Sequence, residues 1–306
     1  MKISIYKLKN KLFRYSNEAK KLIRPSYEEL LQYENFQRSE DNKLALSFGA
    51  GRCGQNWFAK IFNSHPNWIG TCERFSDYEA FYRYIGYYKL PIDKEGIFKL
   101  FNLASNRDMA KYQNSLIASP YLSFGVEELY KRLSPNYLIF NLRNPVKSVE
   151  SFYRKGWYLD NENISFKSPA INISENLKRT FSRIVPHNDF FKDWLQLTRI
   201  GKLAWFWCTI NKAIYDEFEK INNTDKIYIR LEDVDQNYEI YEELFNKFKF
   251  KKKLNTNQFL NVINKAPNKG PQDKYQYKDW NNLEKEQFDT MIKNLFPYYD
   301  KIRTKI

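Results

Sequence analysis

The stretch Leu44-Ala45-Leu46-Ser47-Phe48-Gly49-Ala50-Gly51-Arg52-Cys53-Gly54-Gln55-Asn56-Trp57-Phe58-Ala59-Lys60-Ile61-Phe62 decides how this chain folds. Leu44 to Phe48 is a short apolar run of buried-strand length, and Gly49, Gly51 and Gly54 then let the backbone turn sharply. Trp57, Phe58, Ile61 and Phe62 recur on one helical face, and the pattern stops at Asn63, Ser64, His65 and Pro66. Strand, glycine turn and helix start aim backbone N–H groups and the positive end of a helix dipole at one point, a seat suited to phosphate or sulfate. Arg52 adds a fixed positive charge to that turn.

The turn by itself leaves the anion open. Gly49-x-Gly51-x-x-Gly54 has the spacing of a dinucleotide-binding turn, and Glu73 stands about 20 residues downstream, where such a fold keeps a ribose-binding acid. Gln55 and Asn56 follow Gly54, so the phosphate-binding lysine and magnesium-binding hydroxyl of a nucleoside-triphosphate loop are both missing. Metal-dependent phosphoryl transfer is therefore not expected. A glycine turn that binds nothing is the plain alternative.

The 306 residues suffice for one generous domain, and 42% hydrophobic residues can supply its core. Aromatic residues reach 18%, more than any site needs, so most must be core. Cys53, Cys72 and Cys208 are an odd set without ligand-like spacing, which argues against a disulfide framework or a zinc site and fits a reducing, cytoplasmic setting. No apolar run approaches the ~18 residues of a membrane span. A net charge of +14 favours anionic partners, small phosphorylated or sulfated ligands or nucleic acid. Lysine is abundant along the whole chain, so charge alone decides little between them.

Residues 1–42 read as a basic amphipathic helical segment, with Ile5, Leu8, Leu12, Tyr15, Ala19 and Leu22 at helical spacing among Lys7, Lys9, Lys11, Arg14, Lys20 and Lys21. Residues 1–25 suit peripheral contact with an anionic membrane and suit packing on their own domain as well. Ser26 with Glu28 and Glu29 marks a second short helix, and the domain proper is expected over 43–306. Trp68 to Cys72 is a candidate strand leading to Glu73. Ser76 is a candidate helix cap with Glu79 three residues on, ahead of a stripe of Tyr78, Phe81, Tyr82, Ile85 and Tyr88. Residues 90–120 show no decisive pattern and are expected to hold helix and loop.

Asn136 to Leu142 is the clearest second strand, apolar almost throughout, as in a parallel sheet buried on both faces. It runs into Arg143-Asn144-Pro145, and Pro145 suits the first turn of a helix. Arg143 thus stands at the carboxyl end of a strand, the edge where open α/β sheets bind ligands, and Ser151 lies two turns along the helix. Residues 160–188 are polar and irregular, and residues 188–222 carry long helical periodicity. Lys226 to Leu231 reads as a third strand, Tyr238 to Phe248 and Leu283 to Leu295 as helices, and residues 265–278 as a lysine-rich loop.

Taken together, the two strand ends resemble the sulfotransferase family that uses 3′-phosphoadenosine 5′-phosphosulfate (PAPS). Arg52-Cys53-Gly54-Gln55-Asn56-Trp57 is similar to that family's Arg/Lys-Ser-Gly-Thr-Thr-Trp/Leu loop, which binds the 5′-phosphosulfate. Leu142-Arg143-Asn144-Pro145 with Ser151 is similar to its Arg-Asp/Asn-Pro strand end, where the arginine and a serine eight residues on contact the 3′-phosphate. Arg230 to Asp233 resembles a later strand end of the family, and the lysine-rich loop before Trp280, with Lys269 and Gly270, resembles its C-terminal cofactor loop. The likeness runs from about residue 43 to 295. Cys53, Gln55 and Asn56 depart from the usual hydroxyl residues, although Gln and Asn amides also donate to phosphate oxygens; Leu231 stands where a tyrosine is common.

The resemblance implies PAPS as donor, 3′-phosphoadenosine 5′-phosphate (PAP) as product and no metal. It implies Gly51, Arg52, Cys53, Gly54, Gln55, Asn56, Trp57, Arg143, Ser151, Lys269 and Gly270 as the residues that bind the nucleotide. Glu73, beyond the His65-Pro66 pair, resembles the glutamate that serves as base in glycan and tyrosylprotein sulfotransferases, and Arg52 would share the catalytic work; His187 is the next candidate base. The expected fold is one three-layer α/β domain, a central parallel sheet with helices on both faces and a P-loop-like strand-loop-helix. Its expected reaction is sulfuryl transfer to a hydroxyl acceptor, a carbohydrate or glycolipid, with no nucleic acid involved. The alternatives are an NAD(P)-binding Rossmann oxidoreductase and a noncatalytic basic module for nucleic acid or anionic membrane. A dehydrogenase would leave the Arg143 and Ser151 pair unexplained.

Overall fold

The structure, a computed structural model, describes residues 24–159, 179–222, 224–235, 237–264 and 275–306. Strands β1 (Lys43–Phe48), β2 (Trp68–Cys72), β3 (Asn114–Ala118), β4 (Tyr137–Leu142) and β5 (Asp225–Arg230) form one sheet in the order β2-β3-β1-β4-β5. All four pairings are parallel. The helices are α1 (Tyr27–Leu31), α2 (Gln55–Asn63), α3 (Ser76–Tyr87), α4 (Glu95–Tyr112), α5 (Val126–Leu133), α6 (Pro145–Arg154), α7 (Phe190–Gln196), α8 (Arg199–Lys220), α9 (Leu231–Val234), α10 (Tyr238–Lys247), α11 (Thr256–Asn264) and α12 (Asn282–Leu295).

The two-residue period of the strands divides the core between two faces. Leu44, Leu46 and Phe48 of β1 and Leu138, Phe140 and Leu142 of β4 point to one side, where α3, α4, α5, α6, α8 and α12 pack. Ala45, Tyr137, Ile139, Ile227 and Ile229 point to the other, covered by α2, α10 and α11. Both faces are therefore dry, which is why β1 and β4 are apolar almost throughout. The result is the three-layer α/β domain expected from the sequence.

The chain leaves β1 toward β2 on one side and leaves β4 toward β5 on the other. A crevice opens between two neighbouring parallel strands whose connections diverge in this way, at their carboxyl ends. Here that crevice lies between β1 and β4.

Several elements differ from the reading of the sequence. The eighteen-residue α4 is the helix expected between residues 90 and 120, and β3 is a strand where only loop was expected. Ser76 is the first residue of α3 rather than its cap, and the Phe75 N–H donates to Glu79 Oε1 at 2.9 Å. The periodic stretch after residue 188 is two helices, broken where Thr198 Oγ1 accepts from the Gly201 N–H to start α8. Leu30 of α1 is fully buried against Leu103 and Ala104 of α4, and Arg38 reaches Asn102, Ser105 and the Leu133 carbonyl. Residues 24–42 are thereby packed on the domain. Lys305 pairs antiparallel with Tyr228 on the outer edge of β5. Among the described residues no helix is long and apolar enough to cross a membrane. Residues 1–23, most of the irregular stretch after residue 160, and the loop with Lys269 and Gly270 lie outside the described residues.

Candidate active site

After Phe48 the chain turns through Gly49 to Gly54 and enters α2. Gly51 and Gly54 have φ of 91° and 89°, and Arg52 between them takes 59°. A side chain at Gly54 would also collide, since its Cβ would lie 2.7 Å from Leu231 Cδ1. Gly54 caps α2 without a side-chain hydrogen bond, and the buried Cys53 thiol lies against the Gly51, Cys53 and Gln55 N–H groups.

The end of β4 interlocks with this turn. Arg143 Nη1 donates to the Arg52 carbonyl at 3.0 Å, and Arg52 Nε donates to Ser151 Oγ at 2.8 Å. Asn144 starts α6 by accepting from the Lys147 N–H, and its own N–H donates to Glu232 Oε1 at 2.9 Å. Tyr299 holds the other oxygen of Glu232 at 3.2 Å, so the Arg230 to Asp233 stretch braces the β4 exit.

These elements border a cleft of about 290 Å³ at the switch point. Gly51, Arg52, Gly54, Gln55, Asn56, Trp57, Glu73 and Arg143 all lie on its wall. Cys53 and Ser151 stand behind it, 4% and 2% exposed, and burial pushes the Cys53 thiol up to about 11. The Gln55 amide is turned inward to the Ser47 carbonyl at 3.2 Å, whereas Asn56 is exposed. Neither histidine borders the cleft. His65 is buried face to face with Phe250 at 3.9 Å between ring centroids, and the exposed His187 meets Tyr87 and Tyr88 edge-on.

Glu73 follows β2 with φ 53°, and its N–H donates to the Ala118 carbonyl at 3.0 Å. Its charge acts on Arg52, Arg83 and Tyr121. Arg52 is held below its ordinary pKa first by burial and then by Arg143 and Arg154, with Glu73 opposing. Lys155 is lowered by burial and then by Arg52. Cations that repel one another beside a cleft favour an anion between them.

Lys60, Arg83, Tyr121, Phe152, Trp157 and Asp235 also line the cleft, and none of them belongs to a site motif of the sequence. Arg154 and Lys155 carry a signal that the motifs lack, since their three- and four-residue spacing from Ser151 puts them on its helical face.

No family model matches the chain, and no curated protein matches it. Among solved structures it is similar to the sulfotransferase domain from the curacin biosynthetic pathway, at 11% identity and a TM-score of 0.41, over 69% of this chain and 75% of that one. So remote a likeness leaves function to be argued from the cleft.

Proposed function

We propose that the protein transfers a sulfuryl group from PAPS to a hydroxyl-bearing acceptor, a carbohydrate or glycolipid. The observation that carries this reading is the interlock of Arg52, Arg143 and Ser151, which joins the β1 and β4 ends at the switch point. Arg52, Lys60, Arg83 and Arg143 outnumber Glu73 and Asp235 on the cleft wall, an excess suited to a donor carrying a phosphosulfate and a second phosphate. Trp57 adds a flat apolar wall. The sheet order speaks against a dinucleotide site. In that fold the ribose-binding acid ends the strand beside β1, whereas β3 here separates β2 and Glu73 from β1.

In the proposed reaction the acceptor oxygen bonds to sulfur as the bond from sulfur to the bridging phosphate oxygen breaks, and PAP leaves. The acceptor proton passes to the Glu73 carboxylate. Arg52 and the N–H groups at the start of α2 stabilise charge on the sulfuryl oxygens and the leaving phosphate. Arg143 supplies the planar fork for the 3′-phosphate, and Ser151 keeps Arg52 in register with it. Calorimetry with PAP, NADH and duplex DNA tests the reading, and PAP binding is the expected result. Tight NADH binding without PAP binding would replace it with an oxidoreductase, and steeply salt-dependent DNA binding alone with a basic module. Transfer of labelled sulfate from PAPS across a panel of glycosides and glycolipids then tests the acceptor class.

A further inference from the structure

We propose that Arg83, a residue without a role in the reaction as written above, is the positioning residue of the acceptor end, holding Tyr121 on the cleft wall and balancing the charge of Glu73. The inference rests on the sulfuryl-transfer reading and deepens it. Arg83 comes from α3, is fully buried and borders the cleft. Its Nη2 donates to the Pro120 carbonyl and, at 2.9 Å, to Ser123 Oγ; its Nη1 donates to the Ser182 carbonyl at 3.1 Å. The guanidinium carbon lies 5.1 Å from the centroid of the Tyr121 ring and 5.4 Å from that of Phe206. Among the described residues no carboxylate forms an ion pair with it, and its Nε–H is buried without a partner.

A buried cation resting on carbonyls and ring faces, with no acid in contact, is costly to keep. If bridging the 120–123 turn to Ser182 were its whole task, a neutral donor would do it at lower cost. The acid within its field is Glu73. Burial lowers the Arg83 pKa to about 10, with Tyr121, Tyr158 and Glu73 opposing, so the guanidinium stays charged at neutral pH.

The groups whose charges face Glu73 are Arg52 from the β1 turn, Arg83 from α3 and Tyr121 from the β3 exit, and Arg24 reaches its carbonyl. A donor with several negative charges engages Arg52 at one side of the cleft, and Arg83 is the cation that offsets Glu73 from behind its other side. Through its fork the same side chain fixes the turn that carries Tyr121.

The test compares Arg83→Met and Arg83→Lys with the wild type and with Arg38→Met. Arg38 also forks onto a main-chain carbonyl and side-chain amides, away from the cleft. The readouts are the PAP Kd, the Tm, and the rate at which labelled sulfate passes from PAPS to water or added methyl glycosides. We expect Arg83→Met to keep its PAP Kd within about threefold while sulfate transfer per folded molecule falls roughly 30- to 100-fold. Arg83→Lys keeps the charge and loses the fork, so it should recover part of the rate and not all of it. Arg38→Met should lower the Tm and leave the rate per folded molecule unchanged. Wild-type transfer by Arg83→Met, no recovery at all in a folded Arg83→Lys, or a wild type that binds PAP and transfers no sulfate overturns the role of Arg83. A wild type that does not bind PAP overturns the sulfuryl-transfer reading itself.

Discussion

The two ends of this sheet carry hollows of opposite character. The space at the amino end of the strands, about 690 Å³, is more than twice the 290 Å³ of the cleft at the carboxyl end. Yet the larger one is chemically closed. Asn42 donates to the Gln113 carbonyl, Asn114 accepts from the Lys43 N–H and donates to the Asn67 carbonyl, and Asn136 accepts from the Leu44 N–H. Asn67 in turn donates to the Lys249 carbonyl and accepts from the Lys251 N–H. These amides tie strand starts together and keep little for a ligand. Backbone strain does not separate the two ends, since Gln113 and Lys249 share positive φ with Arg52 and Glu73. The difference is the set of cations that repel one another at the smaller hollow. An excess of one charge distinguishes a site better than volume does.

Glu73→Gln breaks this contrast most severely. It keeps shape and removes the proposed proton acceptor, so turnover should fall by about 10²- to 10⁴-fold. PAP should bind as before, because no part of the donor cradle changes. Near wild-type transfer to a working acceptor would make Glu73 structural.

Arg143→Ala should weaken PAP binding by roughly 1.5 to 3 kcal/mol, the range for hydrogen bonds to a charged group. Adenosine 5′-phosphosulfate lacks the 3′-phosphate and should lose far less. Equal losses for both in calorimetry would show that Arg143 acts only by holding the Arg52 carbonyl, to which it already donates.

The sequence displays the half of the cleft built by the β1 and β4 ends and hides the half around Tyr121, for a physical reason. Gly49 to Trp57 and Arg143 to Ser151 each belong to one strand end and the helix after it, so local spacing carries their geometry. Arg83, Tyr121 and Trp157 come from three separate elements and meet only because the sheet order brings α3, the β3 exit and the α6 exit together. β3 is hidden because Asn114–Ala118 follows α4 with only Gln113 between them, so no separate turn stretch marks where the helix stops and the strand starts. Gln55 illustrates the converse limit. Its position matches the cofactor loop, but the amide is used by Ser47, which no motif reports.

At the amino end, Asn114→Ala should cost about 1 to 3 kcal/mol of stability, because it strands the Lys43 N–H and the Asn67 carbonyl in a buried setting. PAP affinity should not move. Denaturant unfolding and calorimetry on the same variant test both halves, and a change in PAP binding would mean that the two ends are coupled through β1 and β3.

The smallest expected effect belongs to His65, packed beside the amino end. Its Nδ1 lies 3.1 Å from the Lys252 carbonyl and 3.3 Å from that of Lys251, so this nitrogen carries the hydrogen of the neutral ring. Nε2 is buried without a partner, and protonating it would create a donor with nothing to bond. Burial accordingly lowers the His65 pKa, with the two carbonyls opposing. The unfolded chain takes up this proton near pH 6.5 and the folded chain only at lower pH. Below about pH 6.5 the unfolded state therefore holds more protons, and stability falls as the pH drops. His65→Phe should lower stability at neutral pH, where it loses the carbonyl contacts, and flatten the decline below it. Unfolding free energies at pH 7.5 and 5.5 for both proteins test this, and parallel declines would free His65 of any part in the acid response. PAP affinity should be equal in the two proteins at either pH, because the ring touches nothing on the cleft wall.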